Sequence, residues 1–139
     1  MILESIVTTL NDDGSLNVSP MGPQVDDDPS CGFELRPFET SQTLHNLLAR
    51  PQGVLHVTDD VLLFAHAAIG RPDPLPPTHA AETLPGQIIS NACRAYEFEV
   101  TFADTTAQRA TLQCRVTRLH RMRDFFGFNR GKNAVIEAA

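Results

Sequence analysis

The sequence predicts a mainly β protein, a small antiparallel barrel with helices inserted between pairs of strands. Asn11-Asp12-Asp13-Gly14 separates two β-rich segments, and an Asp-Gly pair favours the positive φ angles of tight hairpin turns. Residues 93–104 and 108–121 both alternate between apolar and polar side chains, which predicts a second, longer hairpin. At 139 residues the chain is expected to form one domain, 1–139, with its own core.

The first half of the chain predicts strands and helices in alternation. Strands are expected at 2–10, 15–21, 33–35 and 54–57, and helices at 41–49 and 61–69. The first helix should bury Leu44, Leu47 and Leu48 on one face. The second helix is apolar nearly all round, so we expect it to be heavily covered. Residues 71–77 contain four prolines and predict a surface connection.

The second half predicts one long hairpin and a last helix. Its first strand should turn Tyr96 and Phe98 inward and leave Glu97 and Glu99 on a solvated outer face. The last helix is expected within 131–139, beginning near Asn133, with no capping residue after it. Either the natural chain continues beyond this helix or the helix docks on another subunit.

Composition excludes several classes of protein. A net charge of -6 argues against non-specific binding to nucleic acids or anionic membranes. No apolar run is long enough to span a membrane, and no secretory leader is visible. Cys31, Cys93 and Cys114 are odd in number and lack paired spacing, which predicts reduced thiols and a cytoplasmic location. The histidines lack metal-ligand spacing, so no metal site is predicted.

Arg36 precedes a hydroxyl-rich helix start formed by Thr40, Ser41 and Thr43. A helix start offers unpaired N–H groups and a partial positive charge, and with a guanidinium and hydroxyls it suits a phosphate. The alternative is an ordinary capped helix with a surface arginine. Rossmann, Walker and nucleophile-elbow motifs are absent from the sequence, so neither a standard nucleotide site nor a serine hydrolase is indicated.

The segment Asn17-Val18-Ser19-Pro20-Met21-Gly22 is the second candidate. Pro20 cannot donate to a sheet, and Gly22 allows another group to approach the backbone. Asn17 and Ser19 add side-chain hydrogen-bonding groups. The alternative is a strand end that simply breaks into a loop.

Taken in order, these segments resemble the FMN-binding split-barrel superfamily of flavin-reductase-like proteins, in particular an uncharacterised branch defined by a domain of unknown function. The resemblance rests on Val7-Thr8-Thr9, the Asp13-Gly14 hairpin, the segment from Asn17 to Gly22, Arg36, and Ser41-x-Thr43-x-x-Asn46-Leu47. Segments beginning at Thr58, Tyr96 and Phe128 extend it over nearly the whole chain. It implies a six-stranded antiparallel Greek-key split β-barrel that forms a homodimer with one FMN per subunit at the interface.

The resemblance also assigns roles to residues. Arg36, Ser41 and Thr43, with Thr40 and the helix-start N–H groups, would hold the phosphate, and Asn46 would fix the helix to the barrel. The cofactor-binding set on the first two strands would comprise Thr8, Asn17, Ser19, Pro20, Met21 and Gly22, with the segment from Ser19 to Gly22 lining the isoalloxazine edge. Phe125, Phe126 and Phe128 would either cover the ring or anchor the last helix.

The function implied is that of a flavin-dependent oxidoreductase, with NAD(P)H or another small molecule as redox substrate. The alternatives are a non-catalytic flavin-binding module, such as an electron carrier, sensor or storage protein, and a dimeric interaction barrel that has lost its flavin. No catalytic residue is predicted, because no acid or base stands beside the segment assigned to the ring.

Overall fold

A computed structural model describes residues 1–70 and 72–139 of the chain. Within these residues it contains eight strands and three α-helices. They are β1 (Ser5–Leu10), β2 (Leu16–Met21), β3 (Phe33–Leu35), α1 (Gln42–Ala49), β4 (Gln52–Val57), α2 (Val61–Ala68), β5 (Thr78–Ala80), β6 (Gln87–Ile89), β7 (Arg94–Asp104), β8 (Thr111–Arg121) and α3 (Arg130–Ala138).

Six of these strands form one antiparallel sheet in the order β2-β1-β4-β7-β8-β3. The sheet curls into a half-barrel, and Gln24, which follows β2, bridges both Ile2 and Glu34 and so joins the two edges of the sheet at one point. β2 and β3 remain edge strands on either side of the resulting split. The predicted mainly β split barrel is thereby confirmed.

The barrel core is closed at one end by α1. Leu44 and Leu47 are buried in the main apolar cluster with residues from five of the six strands. Leu48 is 52% exposed, so its predicted place on the buried face is wrong, because α1 contacts the barrel along a narrow stripe. Gly53 lies within β4, where a Cβ would stand 2.8 Å from the Phe98 ring.

α2 packs on the outer face of the sheet against β2 and α3. Leu63, Phe64 and Ala67 are buried, whereas Leu62 and Ile69 are 67% and 70% exposed. The expectation that the whole helix is covered is therefore wrong. Its apolar outer side stands free within the described residues.

The short hairpin of β5 and β6 was not predicted from the sequence. It lies against the outer face of β1 and β4, where Thr8 Oγ1 donates to the Gln87 carbonyl at 2.8 Å. The buried His56 accepts from the Ile89 N–H through Nε2 at 2.9 Å, and its Nδ1 donates to the Ile6 carbonyl at 3.1 Å. Of the connection predicted before this hairpin, Arg71 lies outside the described residues, and residues 72–77 form a loop at the surface.

Glu97 contradicts the prediction of a solvated outer face, because its side chain is fully buried. The carboxylate accepts from the backbone N–H groups of Glu82 and Thr83, from the Thr83 hydroxyl, and from His120 Nε2 at 2.5 Å. Burial alone would raise its pKa, but these hydrogen bonds outweigh burial and lower the pKa to about 2. Glu97 thus fastens the loop after β5 to the barrel wall.

The C-terminal segment forms a longer helix than predicted. α3 begins at Arg130 instead of Asn133, because Asn129 caps it by accepting from the Lys132 N–H at 3.1 Å. Phe126 and Phe128 are more than 90% exposed, so they do not anchor the helix in the core.

Cys93 and Cys114 are buried free thiols, as the alternation of the strands predicts.

Candidate functional site

One face of β2 lies beside the segment from Arg36 to Thr43, and the strip between them is here called the groove. β2 pairs with β1 on one side only, and strand alternation places Asn17, Ser19 and Met21 on the face shared with Val7 and Thr9. This face extends for about 13 Å at the usual rise of an extended strand. The chain from Arg36 to Thr43 contacts it at both ends.

At the Met21 end, a cavity of about 270 Å³ joins the two predicted segments. It is lined by Met21 and Gly22 from the end of β2 and by Arg36 and Arg109, with Ile2 and Gln24 beside them. Arg36 is 61% exposed at its side chain, and its Nε donates to the Glu34 carboxylate at 2.5 Å. The hydrogen bond from Arg36, followed by one from Gln113, lowers the pKa of Glu34.

Arg109 is the site residue that sequence reasoning missed. Its Nε donates to the Arg36 carbonyl at 3.0 Å, and its guanidinium lies 4.3 Å from the centre of the Phe38 ring. Phe38 also forms a backbone bridge with Arg109. The cavity therefore has two guanidinium groups. No local motif signals Arg109, since it is 73 residues from Arg36 and meets it only through the fold.

At the other end of the groove, a polar network ties α1 to β1 and β2. Asn17 Nδ2 donates to the hydroxyls of the buried Thr43 at 3.0 Å and of Thr9 at 3.2 Å. Asn46 Nδ2 donates to Thr9 Oγ1 and to Asn11 Oδ1, each at 2.9 Å. The predicted role of Asn46, to fix the helix to the barrel, is confirmed.

The start of α1 lies between these two ends. Ser41 is its N-cap and accepts from the Leu44 N–H at 3.1 Å. The N–H groups of Gln42 and Thr43 have no partner within the helix, as in any first turn. Thr40 is exposed in the turn just before the cap.

Two of the predicted residues point elsewhere. Thr8 is buried on the opposite face of β1 with its hydroxyl on Gln87, and Pro20 alternates to that same face. Ser19 faces the groove, half-buried, with only a long contact of 3.4 Å to the Pro20 carbonyl. The groove thus combines Asn17, Ser19 and the Met21-Gly22 corner with Arg36 and the helix start.

Comparison with known families identifies the chain. The family model described as a protein of unknown function (DUF447), N-terminal domain, matches residues 3–123. The chain belongs to the DUF447 N-terminal domain family. No curated protein matches it.

Several solved structures share the fold of this chain. An FMN-bound DUF447 protein from Methanosarcina mazei is 22% identical with a TM-score of 0.81, over 99% of this chain and 71% of that one. The NADH:FAD oxidoreductase SgcE6 of Streptomyces globisporus C-1027 is 11% identical with a TM-score of 0.71, over 85% and 74% of the two chains. An FMN-binding protein from Thermus thermophilus, with bound p-hydroxybenzaldehyde, is 17% identical with a TM-score of 0.69, over 86% and 71%.

Among the described residues, the helices are all too short or too polar to cross a lipid bilayer.

Proposed function

We propose that this DUF447 domain binds FMN in the groove beside β2 and acts as a flavin-dependent oxidoreductase of the flavin-reductase-like type. The observation that carries the proposal is the cavity where Met21 and Gly22 meet Arg36 and Arg109. The FMN-bound relative from Methanosarcina mazei supports it.

The charged groups of the groove fit the phosphate of FMN. Arg36 and Arg109 supply two guanidinium groups, which bind phosphate oxygens through charge-assisted hydrogen bonds. Thr40 and Ser41 add hydroxyls, and the first turn of α1 adds backbone N–H groups. The Thr43 hydroxyl is buried and accepts from Asn17, so its part in the proposed site is to hold the start of α1 beside β2.

The segment from Ser19 to Gly22 fits a flat ring. The Met21 side chain is apolar and adaptable, the Ser19 hydroxyl has no strong partner, and Gly22 is exposed. The cavity of about 270 Å³ is smaller than most ligand sites, so it suits the phosphate on Arg36 and Arg109, and the ring would extend from it along β2 past Met21 towards Ser19. We therefore propose that a second subunit covers the ring, in a homodimer.

When bound, FMN would supply hydride and electron transfer. The residues of the chain would hold the phosphate, orient the ring edge and exclude water from one side. We propose NAD(P)H or another small molecule as redox substrate, and the likeness to SgcE6 supports the nicotinamide. The cytoplasmic location suggested by the three free cysteines stays a prediction.

The first test is the visible spectrum of the purified protein, followed by titration with FMN. We expect a released chromophore identified as FMN, and a loss of affinity of about tenfold to hundredfold in R36A and in R109A, as for lost hydrogen bonds to a charged group. R115A is the matched control, because Arg115 is exposed and pairs with Glu99. A colourless protein that takes up no FMN would overturn the proposal and favour a barrel without flavin.

The second test is anaerobic mixing of the FMN-loaded protein with NADH or NADPH. We expect the flavin absorbance to bleach with one of the two. If the protein binds FMN stably but neither NADH, NADPH nor a wider panel of reductants reduces it, the proposed oxidoreductase activity is excluded. The protein would then be a non-catalytic flavin-binding module.

A further inference from the structure

Two adjacent cavities lie at the end of the barrel opposite α1. The first, here the cationic cavity, has a volume of about 330 Å³ and includes Arg94, Arg121 and Arg123 in its lining. The second, here the apolar cavity, has about 350 Å³ and lies between the end of β4, α2 and α3. Val57 and Phe125 line both, so a single ligand could enter both.

Two arginines that line the cationic cavity, Arg94 and Arg121, lack an ion-pair partner among the described residues. They are directly opposite each other on β7 and β8, an arrangement that costs free energy between like charges. Asp124 is the one carboxylate in the lining. Asp28 lies near these two arginines. Hydrogen bonds from Ser30 lower the pKa of Asp28 most, and the charges of Arg94 and Arg121 lower it further.

The two charged side chains that lie between the cavities, Arg123 and Asp59, neutralise each other. Arg123, on the cationic side, donates from both terminal nitrogens to Asp59, which lines the apolar side. Asp59 also accepts from the Phe126 N–H at 3.1 Å. These bonds, that from Arg123 first, lower the pKa of Asp59 to about 2. Because Arg123 compensates Asp59, this carboxylate does not repel an anion bound next to it.

The apolar cavity suits a ring or a branched hydrocarbon. Phe64 and Ile136 form its inner walls, and Phe125 and Phe128 meet edge-to-face with ring centres 5.7 Å apart. Its polar rim includes the half-buried Lys132, which has no ion pair among the residues that the structure describes.

We propose that this pair of cavities binds an amphipathic organic anion, with an aromatic or branched apolar body in the apolar cavity and a phosphate or carboxylate on Arg94 and Arg121. None of their lining residues belongs to the groove proposed for FMN. The proposal therefore stands independently of the flavin.

Phenyl phosphate and benzoate are the probes, and neutral benzyl alcohol is the comparison. Each is titrated into the full chain with and without FMN, by calorimetry and by amide chemical shifts. We expect saturable binding of at least one anion, with shifts at residues 93–95 and 121–125. The better of the two anions identifies the charged group as phosphate or carboxylate.

R94A and R121A should each weaken binding of that anion by about tenfold, the usual effect of losing a charge-assisted hydrogen bond. R115A, which removes an exposed arginine of β8 far from the cavity, should leave binding unchanged. F128A should weaken the aromatic anion but not inorganic phosphate. The proposal would be overturned if benzyl alcohol bound as tightly as the anions, or if the chemical-shift changes were confined to residues 17–22 and 36–43. It would also be overturned if R115A weakened anion binding as much as R94A and R121A do.

Discussion

Arg36 is held by a carboxylate that a phosphate would have to displace. Its bond to Glu34 orients the guanidinium at the cavity but also occupies it. Arg36 could be predicted because it stands in a local pattern with the helix start. The roles of Arg109 and the buried Glu97 could not be predicted, because their hydrogen-bond partners come from distant segments of the chain. Strand alternation alone assigns both residues only to a polar face.

E34Q should bind FMN about threefold to tenfold more tightly, since it removes a negative charge and a modest competing ion pair. Fluorescence titration of FMN measures the change. E39Q is the control, because Glu39 is an exposed carboxylate in the turn before α1. Weaker binding by E34Q would mean that Glu34 serves mainly to position Arg36.

His56 should make stability depend on pH. Burial lowers its pKa from 6.5 to about 4, so the unfolded chain takes up a proton at a pH where the folded chain does not. The free energy of unfolding should therefore fall between pH 6.5 and 4, by about 3 kcal/mol in full. Urea unfolding at several pH values measures this fall.

H56Q is the comparison for that experiment, because an amide can accept from Ile89 and donate to Ile6 without titrating. Its stability should vary less over this range. A pH dependence identical to that of the parent chain would assign the effect to other groups.

At the scale of elements, the strands of the main sheet were predictable and the small hairpin was not. β1, β2, β7 and β8 carry alternation or a clear turn signal. β5 and β6 have three residues each, and side chains of the barrel wall hold them in place. Their structure therefore depends on Thr8, His56 and Glu97, which no local pattern connects with them.

E97Q should lower the free energy of unfolding by about 3 kcal/mol or more, because it breaks a buried pair and places an amide donor against the N–H groups of Glu82 and Thr83. E99Q, on the same strand and face, should cost less than about 1 kcal/mol, since Glu99 forms a more exposed pair with Arg115. Urea unfolding compares the two. Equal effects would contradict the structural role given to Glu97.

For the whole molecule, the split between β2 and β3 decides where a large ligand fits. The barrel interior is filled by side chains, including Leu44 and Leu47 of α1, so a flavin must lie in the split, along the edge strand β2. The fold class could be predicted from hairpins and inserted helices. The volume of the groove could not, since it depends on how closely the chain from Arg36 to Thr43 approaches β2.

FMN at a hundred times its dissociation constant should raise the free energy of unfolding by about 2.7 kcal/mol. Thermal melting with and without FMN measures this at several protein concentrations. In the proposed homodimer the melting temperature should also rise with protein concentration. A melting temperature that rises with FMN concentration but not with protein concentration would indicate a monomeric flavoprotein. In the double variant R36A/R109A, FMN should no longer raise the melting temperature.

The anchoring of Arg109 has a practical consequence for labelling. Arg109 is fixed by Phe38 and Arg36, while the turn before it, around Thr106, is exposed. A fluorophore attached at T106C, in a C31S background that removes the exposed thiol, would lie within about 11 Å of Arg109 along the chain. Energy transfer from such a dye to a bound flavin would report cofactor occupancy directly, with no change to the groove itself.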